Sequence, residues 1–454
     1  MPDDRPNLLL VFGDQQRFGV TGAEGNRFAL TPTIDALAAG GTLVRTCVAN
    51  APVCCPSRAT MLTGTYPTTH RVLSNDLPVR TDLPTLATVA KANGYRTGYV
   101  GKWHLDGVPR RKFTPPGPRR LGFDDYWCAY NCTHDYFNAR YYENDNEQVV
   151  HAPGYEPTVQ TDRAIDFLTR SDDRPFLLAV SWGPPHDPYA QVPQAFRDKF
   201  ANVDIPVPPN AKPAADNPLG NHLDYTQTIR DYYAAVSALD AELARLLAAL
   251  EATGRSSSTF VVFTSDHGDM LWAHGWMKKQ SPYDESIRVP LVVRGPGIPA
   301  GSTDATTFGL IDLMPTALAL LGLPVPTTVE GQDRSAALRG HSLAARDALI
   351  LNQHSCDEAA MQGMPEWRGL RTPTHTYAET VPGVPWLLFD NVADPQQLDN
   401  LIDSPAHAAL RTRLAADLHV RLVATSDPFL PSPDLLAHFG LANAWTHREA
   451  HIND

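Results

Sequence analysis

"STFVVFTSDHGD", residues Ser258 to Asp269, is a β-branched and aromatic run that ends without a spacer in two aspartates and a histidine. Such a stretch reads as a β-strand carrying chemistry at its carboxyl end. Three more stretches have the same build. "NLLLVFG" leads into Asp14, "YRTGYVG" into Lys102 and His104, and "RPFLLAVSWG" into His186. Helical patterns separate them, which is the alternation of an α/β fold. Open α/β sheets bind their ligands outside the carboxyl ends of the strands, so four strands are expected to deliver side chains to one edge. Between the third and fourth runs, Tyr232, Val236, Leu239, Leu243, Leu246 and Leu250 recur at helical spacing, with Gly254 as a stop signal.

After about residue 345 the pattern changes. "ALILNQH", "RGLRTPTHTYAE" and "WLLFDN" read as short strands, and "SPAHAALRTRLAADLHVRLV" as a helix. A catalytic domain over 1–344 and an α+β subdomain with an antiparallel sheet over 345–454 are the expected division. The 40 prolines gather in loops such as "FTPPGPRR" and mark no linker.

Composition narrows the function. With 454 residues, 43% hydrophobic and 19% charged, the chain is an ordinary globular protein. A formal net charge of −12 argues against a nucleic-acid partner. No apolar run approaches the roughly 20 residues of a membrane span. The start "MPDDRPNLLLVFGDQQ" lacks the basic segment of a signal peptide, so a cytoplasmic location is the expectation.

Six cysteines scattered over this length make no disulfide framework. Cys128 and Cys132 read as plain buried thiols. Cys54 and Cys55, in "NAPVCCPSRATMLTG", are adjacent, and four readings compete: a vicinal disulfide, half of a metal site, a thiol nucleophile, or a residue made from a cysteine. Pro56 suits the first turn of a helix and Gly64 its end. Cys54 would then stand at a helix N-terminus, where backbone N–H groups favour an anion, with Arg58 one turn on.

Cys54-x-Pro56-Ser57-Arg58, continuing to Leu62-Thr63-Gly64, resembles the signature of the formylglycine-dependent sulfatases. "GKWHL" (Gly101 to Leu105), "TSDHGD" (Thr264 to Asp269), "YDESIRVPLVVRGPG" (Tyr283 to Gly297) and "LFDNVADPQQLDNL" extend the likeness in family order. The resemblance implies an alkaline-phosphatase-like mixed sheet flanked by helices, with the smaller C-terminal domain. It also implies that a maturation enzyme oxidises Cys54 to formylglycine, leaving Cys55 at the variable position.

The roles that the resemblance implies are as follows. Asp14, Gln15, Asp266, His267 and an oxygen of the modified Cys54 would hold one divalent cation, Ca2+ ahead of Mn2+. Gln15 stands where many members carry an aspartate, and His267 where many carry asparagine. Arg58, Lys102, His104, His186 and Lys279 would surround the reacting sulfate. Lys102 and His104 alternate along an extended stretch and are expected on one face. Lys279 fits better than Lys278, which reads as a surface charge, and Asp284 and Glu285 as structural pairs. His70, His134 and His354 are possible substrate contacts. The expected reaction is hydrolysis of a small sulfate monoester, with a phosphonate monoester or phosphodiester as the competing substrate. Homo-oligomers are compatible with all of this.

Overall fold

The structure, a computed structural model, describes residues 5–213, 216–355 and 357–452. Strand Asn7–Asp14 lies between Thr259–Ser265 and Phe176–Pro185, parallel to both. Strand Arg96–Lys102 continues the parallel set on the far side of Phe176–Pro185. The four runs read from sequence therefore end at one sheet edge, and Asp14, Lys102, His186 and Asp266 stand at or just beyond their carboxyl ends.

These strands sit inside an 11-stranded mixed sheet. On one side Leu291–Arg294 pairs antiparallel with both Thr259–Ser265 and Thr42–Val48, and Ser302–Gly309 closes that side. On the other, Tyr126–Tyr130 leads to Asn138–Glu143 and Val150–Pro153. Both faces of the sheet are covered, which explains why its central strands are apolar at every position and do not alternate. Leu8, Leu10 and Phe12 face one core together with Ala59, Met61 and Leu62. Leu9 and Val11 face the other, against Leu239, Leu243, Leu246 and Leu250 of helix Tyr225–Ala252.

The C-terminal sheet is an antiparallel meander of Ala348–Asn352, Trp367–Arg371, His375–Thr380 and Val384–Asp390. One expected strand, "RGLRTPTHTYAE", is two, because Thr372 to Thr374 turn the chain through a Pro-containing corner. Helix Ala408–Ala424 lays Leu414, Leu418 and Leu422 on one face of this meander. Its other face packs Ile350, Trp367 and Phe389 onto Met270, Tyr283 and Ile287 of the first unit, so the two sheets share a core. No described helix is long and apolar enough to cross a membrane.

Candidate active site

The helix expected after Val53 spans Cys54–Thr63 and ends at Gly64, whose left-handed conformation (φ 64°, ψ 26°) stops it. All ten helix residues are buried, and no side chain caps its start from Val53. The amide of Cys55 is not open to a ligand; it donates to Asn75 Oδ1 at 3.0 Å. Cys54 is thus the first helical residue, and its Sγ marks where oxygens of a modified side chain would stand.

Sγ of Cys54 lies 3.2 Å from His267 Nε2, 3.8 Å from Asp14 Oδ1 and 3.9 Å from Lys102 Nζ. Burial and Asp14 oppose ionisation of this thiol, yet Lys102, Lys279 and His267 hold it well below the ordinary thiol range. Arg58 fixes the carboxylates around it. Its Nε donates to Asp266 Oδ2 at 2.9 Å and its Nη2 to Asp14 Oδ2 at 3.1 Å. The guanidinium is completed by the Lys102 carbonyl at 2.8 Å and by Ser181 Oγ at 2.7 Å. Ser181 was missed in the sequence, although a hydroxyl inside "FLLAVSWG" was the available signal. Lys102 Nζ reaches Asp14 Oδ2 at 2.5 Å. These charges are buried, so only close pairing makes them tolerable.

Asp14, Cys54, Asp266 and His267 point their donor atoms into one space, all within 4.8 Å of one another. His267 Nδ1 donates to the Gly268 carbonyl at 2.9 Å, which orients Nε2 toward that space. Two carboxylates and one imidazole make a donor set that fits a divalent cation. Gln15 departs from its expected place. It follows the strand in a left-handed conformation (φ 68°), its carbonyl oxygen accepts from Lys279 Nζ at 2.8 Å, and its amide donates to Asp269 Oδ2 at 2.7 Å. An oxygen engaged by an ammonium is a poor cation ligand, and the side chain acts here as a bridge to Lys279.

Lys279 also reaches His186 Nε2 at 2.9 Å. Burial, Lys279 and His134 hold His186 well below the usual histidine range, so it is neutral. His186 Nδ1 donates to the Asp187 carbonyl at 2.8 Å, leaving Nε2 to accept from the lysine. His134 stacks on this ring at 4.0 Å, with planes 7° apart. Lys278 is only 6% exposed and pairs with Asp187, so it is not a surface charge. Glu358, from the C-terminal unit, reaches Lys279 at 3.3 Å, a contact with no counterpart in the local sequence.

His104 is not on one strand face with Lys102. The strand ends at Lys102, and His104 adopts φ 55°, which turns its ring toward Asp76 at 3.0 Å. Its donor atoms cluster with those of Cys55 and Asp76, one layer behind Cys54. Asp76, missed in the sequence, is also held by Arg110 at 2.9 and 2.7 Å. Burial opposes protonation of His104, but Cys132, Cys55 and the Asp76 contact raise it well above the usual range. Cys132 is not a plain thiol either: despite burial, His104 and Lys102 hold it well below the thiol range. Asp284 pairs with Arg371 and Arg288, as expected of a structural residue. His70 is buried against Thr60, and His354 lies tilted against Trp445, with ring centroids 4.1 Å apart. Cys47, Cys54, Cys55, Cys128 and Cys132 are all free and buried; Cys356 lies outside the described residues.

Comparison with known proteins adds to this geometry. Residues 6–323 match the sulfatase family, and residues 273–423 match the family described as N-sulphoglucosamine sulphohydrolase, C-terminal. An ulvan-active sulfatase of Formosa agariphila is 37% identical over 94% of this chain and 82% of its own length. An endo-4-O-sulfatase of Bacteroides thetaiotaomicron is 28% identical, with 88% of each chain covered. The crystal structure of the sulfatase yidJ from Bacteroides fragilis superimposes with a TM-score of 0.86 at 28% identity, covering 94% of this chain and 98% of that one. A phosphonate monoester hydrolase of Agrobacterium radiobacter, 24% identical with a TM-score of 0.75, shares the fold.

Proposed function

The chain belongs to the sulfatase family and is a sulfuric ester hydrolase, and from that premise we propose that it removes sulfate from a sulfated carbohydrate. The observation that carries this reading is Cys54 at a helix start, with Arg58, Lys102 and Lys279 converging on the space where Asp14, Asp266 and His267 gather. Support for a sugar as the alcohol comes from relatives named ulvan-active sulfatase, endo-4-O-sulfatase and N-acetylglucosamine-6-O-sulfatase. This widens the small monoester expected from the sequence.

Cys54, once converted to formylglycine, supplies as its hydrate one hydroxyl to attack sulfur and a second to expel the sulfate, which a thiol cannot do. A divalent cation, Ca2+ ahead of Mn2+, would be held by Asp14, Asp266, His267 and the modified residue, and supplies charge neutralisation and a lowered hydroxyl pKa. Lys102 and Lys279 bind the sulfate oxygens that gain charge in the transition state. Arg58 keeps Asp14 and Asp266 in place. Lys279 carries the proton that it donates to His186 Nε2 across 2.9 Å, and that pair delivers it to the departing sugar oxygen. His104, held through Nε2 by Asp76 in a setting that favours its protonated form, places positive charge behind Cys54.

Matured enzyme assayed on sulfated oligosaccharides, an aryl sulfate and the matching aryl phosphonate tests the reading. Sulfate release from the first two is expected. If the phosphonate has the higher kcat/KM by more than about tenfold, roughly 1.4 kcal/mol of transition-state stabilisation, the phosphonate reading replaces this one.

A further inference from the structure

A cavity of 140 Å³ beside the catalytic centre is lined in part by Arg110, Arg111, Arg140, His151, Tyr142 and Cys132. That is about five waters' share of liquid volume, enough for a carboxylate or sulfate and the carbon bearing it. Among the described residues no aspartate or glutamate lines it, although acids outnumber bases 50 to 38 in the chain. Other arginines near the centre have their carboxylates: Arg58 has Asp14 and Asp266, and Arg110 has Asp76. Arg111 and Arg140 form no ion pair among the described residues, and the Arg140 Nε is buried without a hydrogen-bond partner. The wall is fixed where the Tyr142 hydroxyl donates to the Arg111 carbonyl at 2.7 Å.

Two lining residues tie this cavity to His186 and His104. Cys132 Sγ is 3.7 Å from His134 Nε2, and the His134 ring lies on that of His186. Arg110 holds Asp76, which holds His104. A group bound in the cavity is therefore linked to His186 through Cys132 and His134, and to His104 through Arg110 and Asp76.

We propose that this cavity is a subsite for a second anionic group of the substrate, a carboxylate or a second sulfate, carried by the sulfated ring or its neighbour. The inference rests on the sulfated-carbohydrate reading. Guanidinium groups with free donors present a fork that matches either anion in bidentate fashion. A half-buried fork without a carboxylate partner is a site prepared for an incoming one.

Three sulfated disaccharides that differ in one substituent of the second ring, neutral, carboxylate or sulfate, test it, with an aryl sulfate as control. The wild type is expected to prefer an anionic disaccharide by about tenfold or more in kcat/KM, less so as salt rises. Whichever anion gains more identifies the source. Arg111→Gln and Arg140→Gln each abolish the preference while leaving the neutral disaccharide and the aryl sulfate within about twofold. Arg140→Lys, which keeps the charge, restores part of it. Arg111 is exposed, so its variant tests the proposal even where the Arg140 variants fail to fold. Thermal stabilisation by the desulfated anionic product, lost in Arg111→Gln, reads binding without turnover. Equal kcat/KM on all three disaccharides, or variants that lose every substrate equally, overturns the subsite. If the wild type leaves the aryl sulfate and every disaccharide intact, the sulfatase assay and the carbohydrate reading have failed, and the subsite with them.

Discussion

At the scale of the residue, two adjacent cysteines have opposite surroundings. Cys54 faces the ammonium groups of Lys102 and Lys279, whereas Cys55 turns to the other side of the helix, where its sulfur accepts the Asp76 amide at 3.2 Å. Burial raises the Cys55 thiol above its ordinary range. Peptide mass spectrometry of the fragment ending at Arg58 is expected to show Cys54 as the aldehyde and Cys55 as an alkylatable thiol. Two intact thiols in active protein would refute the assignment. His186 and Lys279 make a second test. His186→Ala should lower kcat by about 10²-fold or more on a sugar sulfate, whose leaving oxygen needs a proton, and far less on a nitrophenyl sulfate. Equal losses on both substrates would mean that His186 positions and does not protonate.

At the scale of the element, the catalytic helix depends on its two ends. Gly64 ends it at φ 64°, and a Cβ there would meet Val329 Cγ1 at 2.7 Å. Gly64→Ala is expected to lose at least about 1–2 kcal/mol in denaturant unfolding, the cost of a left-handed alanine before the contact is counted. An unchanged midpoint would show that the loop around Val329 gives way freely. The strand ends store strain of the same kind. Gln15 and His104 both have positive φ without being glycine, and each turns its side chain to a different neighbour from the one its strand would give it.

At the scale of the molecule, the two sheets act as one body because they share apolar residues. Trp367, fully buried on the C-terminal sheet, donates from Nε1 to the carbonyl of Gln280, next to Lys279. Trp367→Ala is expected to cost about 3–5 kcal/mol and to lower kcat as well, because Lys279 loses its backing. A stability loss with full activity would separate the two roles. The cation site links to stability in the same way. Chelation should lower Tm, and titrating Ca2+ or Mn2+ back should restore it in proportion to affinity. Asp266→Ala should abolish both that response and activity; a variant that keeps either shows that Asp266 is not a ligand.

The sequence by itself determined the α/β alternation, the four strands that end in reactive residues, and the family motif at Cys54. These are local patterns, set by β-rich runs, helical spacing and the order of neighbours along the chain. Only the tertiary structure decided which side chains meet. Ser181 and Asp76 complete the settings of Arg58 and His104 from residues 123 and 28 positions away. Glu358 and Lys279 meet because the meander docks on the first sheet. Gln15 and His104 turn from their expected partners because left-handed backbone geometry at a strand end redirects a side chain, and residue identity does not encode that. Pairing of buried charges depends on distance in three dimensions, and no periodicity along the chain carries that distance.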